Sequence, residues 1–271
     1  MKRAGNYRNV YRADKGFMWP KDAAGQWIEP FDPIFSGGMG GRDYTTENNG
    51  YTYNWDVQHD IQGLAELMGG RKAAETKLDE LFRAELGRSK YAFFAGFPDS
   101  TSMVGQFSMG NEPSFAIPYI YNHLGAPWKT QKRLRQLLEY SFTDTLQGIP
   151  GDEDGGGMSA FVVFSMMGFY PVVPGVPVYE FGSPVFDKVT IALPHGKTLQ
   201  LNASQTSRDN KYIHAVKRNG TATTALWFRH ADVLKGLTLD LEMSDTPNTQ
   251  LGVSADDLPP STMALDPASL R

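Results

Sequence analysis

Three short polar segments hold the residues of this 271-residue chain whose types and spacing could do chemistry. The first, Tyr44-Thr45-Thr46-Glu47-Asn48-Asn49-Gly50-Tyr51, sets Glu47 among aromatics, surroundings in which a carboxyl can hold a proton. The plainer alternative is a surface carboxylate leading into a helix. The second, Gly105 to Ser114, offers Asn111 and Glu112 as hard oxygen donors for a cation or a hydroxyl-rich ligand. Simple helix capping would serve the same two residues equally. The third runs Gly148-Ile149-Pro150-Gly151-Asp152-Glu153-Asp154-Gly155-Gly156-Gly157. Its three adjacent acids repel one another unless a divalent cation, a shared proton or solvent relieves them. Glu112, Asp152 and Asp154 are thus candidate metal ligands.

Two carboxylates facing across a sugar are the usual equipment for glycoside hydrolysis: one protonates the leaving oxygen, the other attacks or activates water. Glu47 and the Asp152/Asp154 pair suit these roles. A separation of roughly 6.5 to 9.5 Å predicts inversion, and about 5 to 5.5 Å retention.

Helices must position the segments. Val57, Ile61, Leu64, Leu67 and Met68 fall at helical steps, and Gly69-Gly70 ends that run. Further helices are expected over 72–85, 113–123, 129–146 and 158–167, joined by short Gly- and Pro-containing connections. Beyond Gly168, prolines interrupt helical patterns, and short β-type runs appear at 189–193, 198–202, 212–217 and 237–241. Asn219-Gly220 is a hairpin-turn signal. The expected division is a helical region over 1–170, an antiparallel β unit over 171–252 and a flexible tail over 253–271.

Composition excludes several classes. With 26 basic and 30 acidic residues, no excess of positive charge points to nucleic acid. No stretch has the roughly 20 apolar residues needed to span a bilayer. No cysteine is available for disulfides, zinc thiolates or thiol chemistry.

The run from Glu47-Asn48 through Tyr53, Trp55, His59-Asp60 and Leu67-Met68-Gly69-Gly70 resembles the α-mannosidases of glycoside hydrolase family 92. The likeness continues through Gly105-Gln106, Gly110-Asn111-Glu112-Pro113-Ser114, Gly151-Asp152-Glu153-Asp154-Gly155, Met158-Ser159-Ala160, Gly168-Phe169-Tyr170-Pro171 and Asn210-Lys211-Tyr212-Ile213. The resemblance implies a mainly α fold with a β C-terminal part: a partial (α/α)6 barrel followed by the small antiparallel β unit. It also implies calcium-dependent, inverting release of terminal mannose from α-mannosides of N-glycan or mannan type. Glu47 matches the general acid, and Asp154 assisted by Asp152 the base. Asn111, Glu112 and Trp55 fall at sugar-contacting positions, and Glu112, Asp152 and Asp154 are expected to serve calcium. A periplasmic or extracellular location follows from the family.

Full members place an N-terminal β-sandwich and several barrel helices ahead of the residues found here, so the chain is expected to be a C-terminal part. Phe115 and Ala116 stand where many members carry histidines, which leaves the linkage open. A non-catalytic glycan-binding or structural fragment, and a hydrolase for a different sugar, are the competing readings.

Overall fold

The computed structural model describes residues 2–35 and 44–261. The glycine cluster at 37–41 and the last part of the expected tail, 262–271, lie outside the described residues. The chain divides into two compact units, Met1–Ile117 with Tyr140–Met158, and Pro118–Glu139 with Ser159–Arg271.

The first unit opens with a 3-10 turn, Lys2–Asn9, and a two-stranded ribbon, β1 (Tyr11–Arg12) and β2 (Phe17–Met18). Short helix α1 (Gly50–Tyr53) follows, then α2 (Ile61–Leu67), α3 (Arg71–Leu81) and α4 (Lys90–Gly96). The helix expected from Trp55 is shorter than its pattern, because Asp60 interrupts it in a non-helical conformation and caps α2 by accepting from the Gly63 amide. Tyr7 and Arg8 also donate to Asp60, which ties the N-terminal turn to this cap. On α3, Ala74, Leu78 and Leu81 recur at helical spacing and are buried. Full burial of such a leucine stabilises by about 1.5–3 kcal/mol. Helix α4 is started by the Ser89 side chain accepting from the Ala92 amide. A small ribbon, β3 (Met103–Val104) and β4 (Phe107–Ser108), follows.

The helix expected over 113–123 is broken into two 3-10 turns, Glu112–Ser114 and Ile117–Tyr119, before α5 (Ile120–His123). Pro113 and Pro118 explain the break, since each lacks an amide hydrogen and disfavours helical geometry in the residue before it.

The second unit takes α5, most of α6 (Pro127–Ser141) and most of α7 (Gly157–Met167), then the β region. Strands β5 (Phe169–Tyr170), β6 (Val178–Phe181) and β11 (Trp227–Arg229) form a three-stranded sheet in the order β11-β6-β5. A five-stranded sheet joins β7 (Lys188–Ala192), β8 (Thr198–Asn202), β9 (Tyr212–Arg218), β10 (Thr221–Thr223) and β12 (Leu237–Ser244) in the order β10-β9-β12-β8-β7. Asn219-Gly220 makes the β9–β10 hairpin, both residues at positive φ. One feature corrects the expected all-antiparallel unit: β12 runs parallel to β8. The chain visits β9 to β11 and the short helix α8 (His230–Leu234) before returning beside β8, a crossover that permits parallel pairing.

Along β12, Leu237, Leu239, Leu241 and Met243 are buried while their neighbours are not, the period of a half-buried strand. They meet Leu199, Leu201 and Val216 in a core that extends to Phe169, Phe181 and Phe228. The ring centroids of Phe228 lie 5.4 Å from those of Phe169 and Phe181. Deep in this unit Glu180, 2% exposed, lies 2.7 Å from His123 Nε2 and accepts from Asn122 Nδ2 at 3.1 Å. Burial pushes the Tyr170 phenol up to about 12. Residues 253–261, expected to be frayed, include a 3-10 turn at Ala255–Asp257 that is fastened by Trp227 Nε1 donating to the Asp257 carbonyl at 3.0 Å. Among the described residues no helix is long and apolar enough to cross a membrane.

Candidate active site

The site lies within the first unit, where three loops converge. Glu47 sits on the first, in left-handed backbone geometry with φ 62°. The residues behind it form a buried amide chain. Asn48 Oδ1 accepts from the Asn49 amide and from Thr52 Oγ1, and Asn49 caps α1 through the Tyr51 amide. Asn49 Nδ2 donates to Gln106 Oε1 at 2.8 Å, and Gln106 Nε2 to the Glu85 carbonyl at 2.7 Å. Each of these amides is almost wholly buried. Asn48 Nδ2 has no partner among the described residues, but the other pairs favour one conformation because breaking them leaves a buried donor or acceptor unpaired.

Asn111, on the second loop, is 4% exposed and donates through Nδ2 to Glu47 Oε2 at 3.0 Å. Its Oδ1 has no hydrogen-bond partner among the described residues. The third loop carries the acidic run, and its three acids part company there. Glu153 turns back to accept from the Gly156 amide as the cap of a 3-10 turn at Asp154–Gly156. Asp152 and Asp154, on either side of it, line a cavity of about 330 Å³ together with Glu47 and Asn111.

A contact between two glycine backbones brings the second and third loops together. A Cβ built on Gly151 would sit 2.1 Å from the Gly110 carbonyl oxygen, and one on Gly110 would meet Thr101 Oγ1 at 2.0 Å. Gly151 also has φ 66°, which disfavours other residues. Gly151→Ala is therefore expected to push the Asp152/Asp154 loop off Gly110 and to destabilise the first unit by about 1–3 kcal/mol. The check is a thermal melt: an unchanged midpoint would mean that the two loops do not need this close approach.

The remaining expected site residues are placed as follows. Glu112 opens the 3-10 turn next to Asn111 and is not among the residues lining the cavity. Trp55 is 2% exposed, a buried residue of the first unit that is not among those lining the cavity. The cavity also contains Asp99, which the sequence reading missed. A lone carboxylate after Phe97-Pro98 has no spacing that ties it to the other acids, and only the fold brings it to them.

Among the described residues no three His, Cys, Asp or Glu side chains gather closely enough to hold a metal ion. Of the expected ligands, Asp152 and Asp154 share the cavity lining and Glu112 lies outside it. Hard oxygen donors along that lining are Asp99, Asp152, Asp154 and the unpaired Asn111 Oδ1.

A larger cleft, about 400 Å³, runs along β9 and β12 in the second unit beside Lys217, Asp240 and Glu242. Asp240 is already bonded to Asn202 there, and none of the candidate residues reaches it. Chemistry rather than volume selects the first-unit cavity.

The chain resembles known proteins along nearly its whole length. An α-mannosidase of Bacteroides thetaiotaomicron, BT3965, solved in complex with mannoimidazole, superposes with a TM-score of 0.87 at 31% identity, covering 96% of this chain and 34% of that one. The inverting mannosidase BT2199 of Bacteroides thetaiotaomicron VPI-5482 gives a TM-score of 0.83 at 38% identity, covering 97% of this chain and 35% of its own. An uncharacterized secreted glycosidase from Arthroderma benhamiae is 32% identical over 96% of this chain and 34% of its own length. The chain thus spans about a third of the length of these relatives. The model of the glycosyl hydrolase family 92 catalytic domain matches residues 1–245, and the chain belongs to that family.

Proposed function

We propose that this chain carries the acid and the base of an α-mannosidase that releases terminal mannose with inversion. The observation behind this reading is the single cavity that Glu47 shares with Asp152 and Asp154. In the proposed reaction Glu47 donates its proton to the glycosidic oxygen as the bond from that oxygen to the anomeric carbon breaks. Asn111 occupies Oε2 of Glu47, which leaves Oε1 as the oxygen that carries the proton. On the opposite face of the sugar Asp154, assisted by Asp152, takes a proton from water as the water oxygen attacks the anomeric carbon. One displacement gives the inverted anomer.

The first-unit helices, on this reading, belong to a partial (α/α)6 barrel, and a β-sandwich domain acts with it. N-glycans or mannans outside the cytoplasm are the proposed substrates; a relative described as secreted is in keeping with that location. Calcium is proposed on the family resemblance alone, since among the described residues no three acidic or histidine side chains gather as a metal site. If calcium is required, a chelator abolishes mannose release and added calcium restores it; release indifferent to chelation would exclude the requirement.

The test is mannose release from α-linked mannobioses by the 271-residue chain, beside a version extended upstream. Release by either, lost in Glu47→Gln, supports the reading. Mannose binding without turnover in both would favour a glycan-binding role, which the partial coverage of the relatives keeps in view.

A further inference from the structure

We propose that Asp99 is a specificity-determining residue of this cavity, accepting a hydrogen bond from a hydroxyl of the bound sugar. The inference rests on the mannosidase reading for the identity of that sugar, but its structural basis is separate.

Asp99 lines the same cavity as Glu47, Asp152 and Asp154, yet has none of their assigned tasks. It lies on another loop, anchored through its backbone: the Thr101 amide donates to the Asp99 carbonyl at 3.0 Å. Ser102 beyond it stands at φ 52°, and its hydroxyl donates to Ser141 Oγ at 2.7 Å. The loop is thus held by main-chain and neighbouring side-chain bonds, while among the described residues no hydrogen bond or ion pair engages the Asp99 carboxylate itself.

Among the described residues the lining contains four carboxylates and no lysine or arginine. Such a cavity repels phosphate, sulfate and carboxylate ligands, and it suits one that brings donors. Asn111 supplies an independent sign of a ligand. It is 4% exposed, lines the cavity and is tethered by Nδ2 to Glu47, yet its Oδ1 has no partner among the described residues. A buried acceptor left unpaired is costly, and a hydroxyl-bearing ligand in the cavity would satisfy it. Acceptors from Asn111 and Asp99, with the acid and base committed to the bond being broken, form a hydroxyl-reading set for a neutral polyol.

The experiment is titration calorimetry of methyl α-mannoside and its monodeoxy analogues against the 271-residue chain and Asp99→Asn. This substitution preserves shape and leaves the backbone anchor intact. The expected result is binding weakened about tenfold or more. The wild type should also discriminate against one deoxy analogue in a way that Asp99→Asn does not, a coupling that a merely structural role would not produce. Equal affinity in the variant, unchanged discrimination among all analogues, no binding by the wild type, or coupling that disappears with chelator would each overturn the proposal. The two readings fail separately. Coupling without mannose release would keep Asp99 and remove the mannosidase; mannose release lost in Glu47→Gln, with no coupling at Asp99, would do the reverse.

Discussion

Glu47→Gln is expected to slow mannose release from unactivated α-mannosides by about 10²- to 10⁴-fold, the range that a positioned proton donor contributes. Glutamine keeps the side-chain shape and still offers a carbonyl oxygen to Asn111 Nδ2, which now donates to Glu47 Oε2 at 3.0 Å. Only the acidic proton is lost. The deficit should therefore shrink on an aryl α-mannoside whose phenol is acidic enough to leave unprotonated. Asp154→Asn should show no such rescue, because water still has to be activated whatever group departs. Following the anomeric signal of released mannose by proton NMR tests both the roles and the inversion. If Glu47→Gln turned over natural linkages at the wild-type rate, the acid would have to be another residue.

The second large effect concerns stability rather than chemistry. His123→Ala is expected to destabilise the second unit by about 1–3 kcal/mol, the usual consequence of leaving a buried hydrogen-bonding group without its partner. Glu180, 2% exposed, would retain only the 3.1 Å bond from Asn122 Nδ2 while losing the His123 contact at 2.7 Å. Chemical denaturation, monitored by the fluorescence of Trp227 in that unit, measures the loss. Replacing both partners, as in His123→Leu with Glu180→Leu, should recover much of it, because no buried polar group of the pair is then left without its partner. A single variant as stable as the wild type would mean that the cluster is not maintained by this pairing.

Elements decided by local pattern were legible in the sequence. Ala74, Leu78 and Leu81 define the buried face of α3 by spacing alone, and Asn219-Gly220 marks its hairpin because those residue types tolerate positive φ. The alternation along β12 likewise identifies a half-buried strand. The three polar segments stood out by composition, and Glu47, Asn111, Asp152 and Asp154 do line one cavity. What escaped the sequence depends on partners distant along the chain. Strand β6 is short and lies among Pro174, Pro177 and Pro184, and β11 has only three residues, so pairing with partners distant along the chain makes them strands. The parallel β8–β12 contact follows from the path of the crossover, which no local pattern encodes.

The same division runs through the site. Sequence placed three acids side by side; tertiary structure made Glu153 a cap and turned Asp152 and Asp154 to the cavity. It packed Trp55 into the core, left Glu112 outside the lining and added Asp99. Residue types and spacing record which chemistry a chain can supply and which local geometry it prefers. Which side chains meet is decided by long-range contacts such as the approach of Gly110 to Gly151, where the lack of a Cβ on either residue lets two loops come to one place.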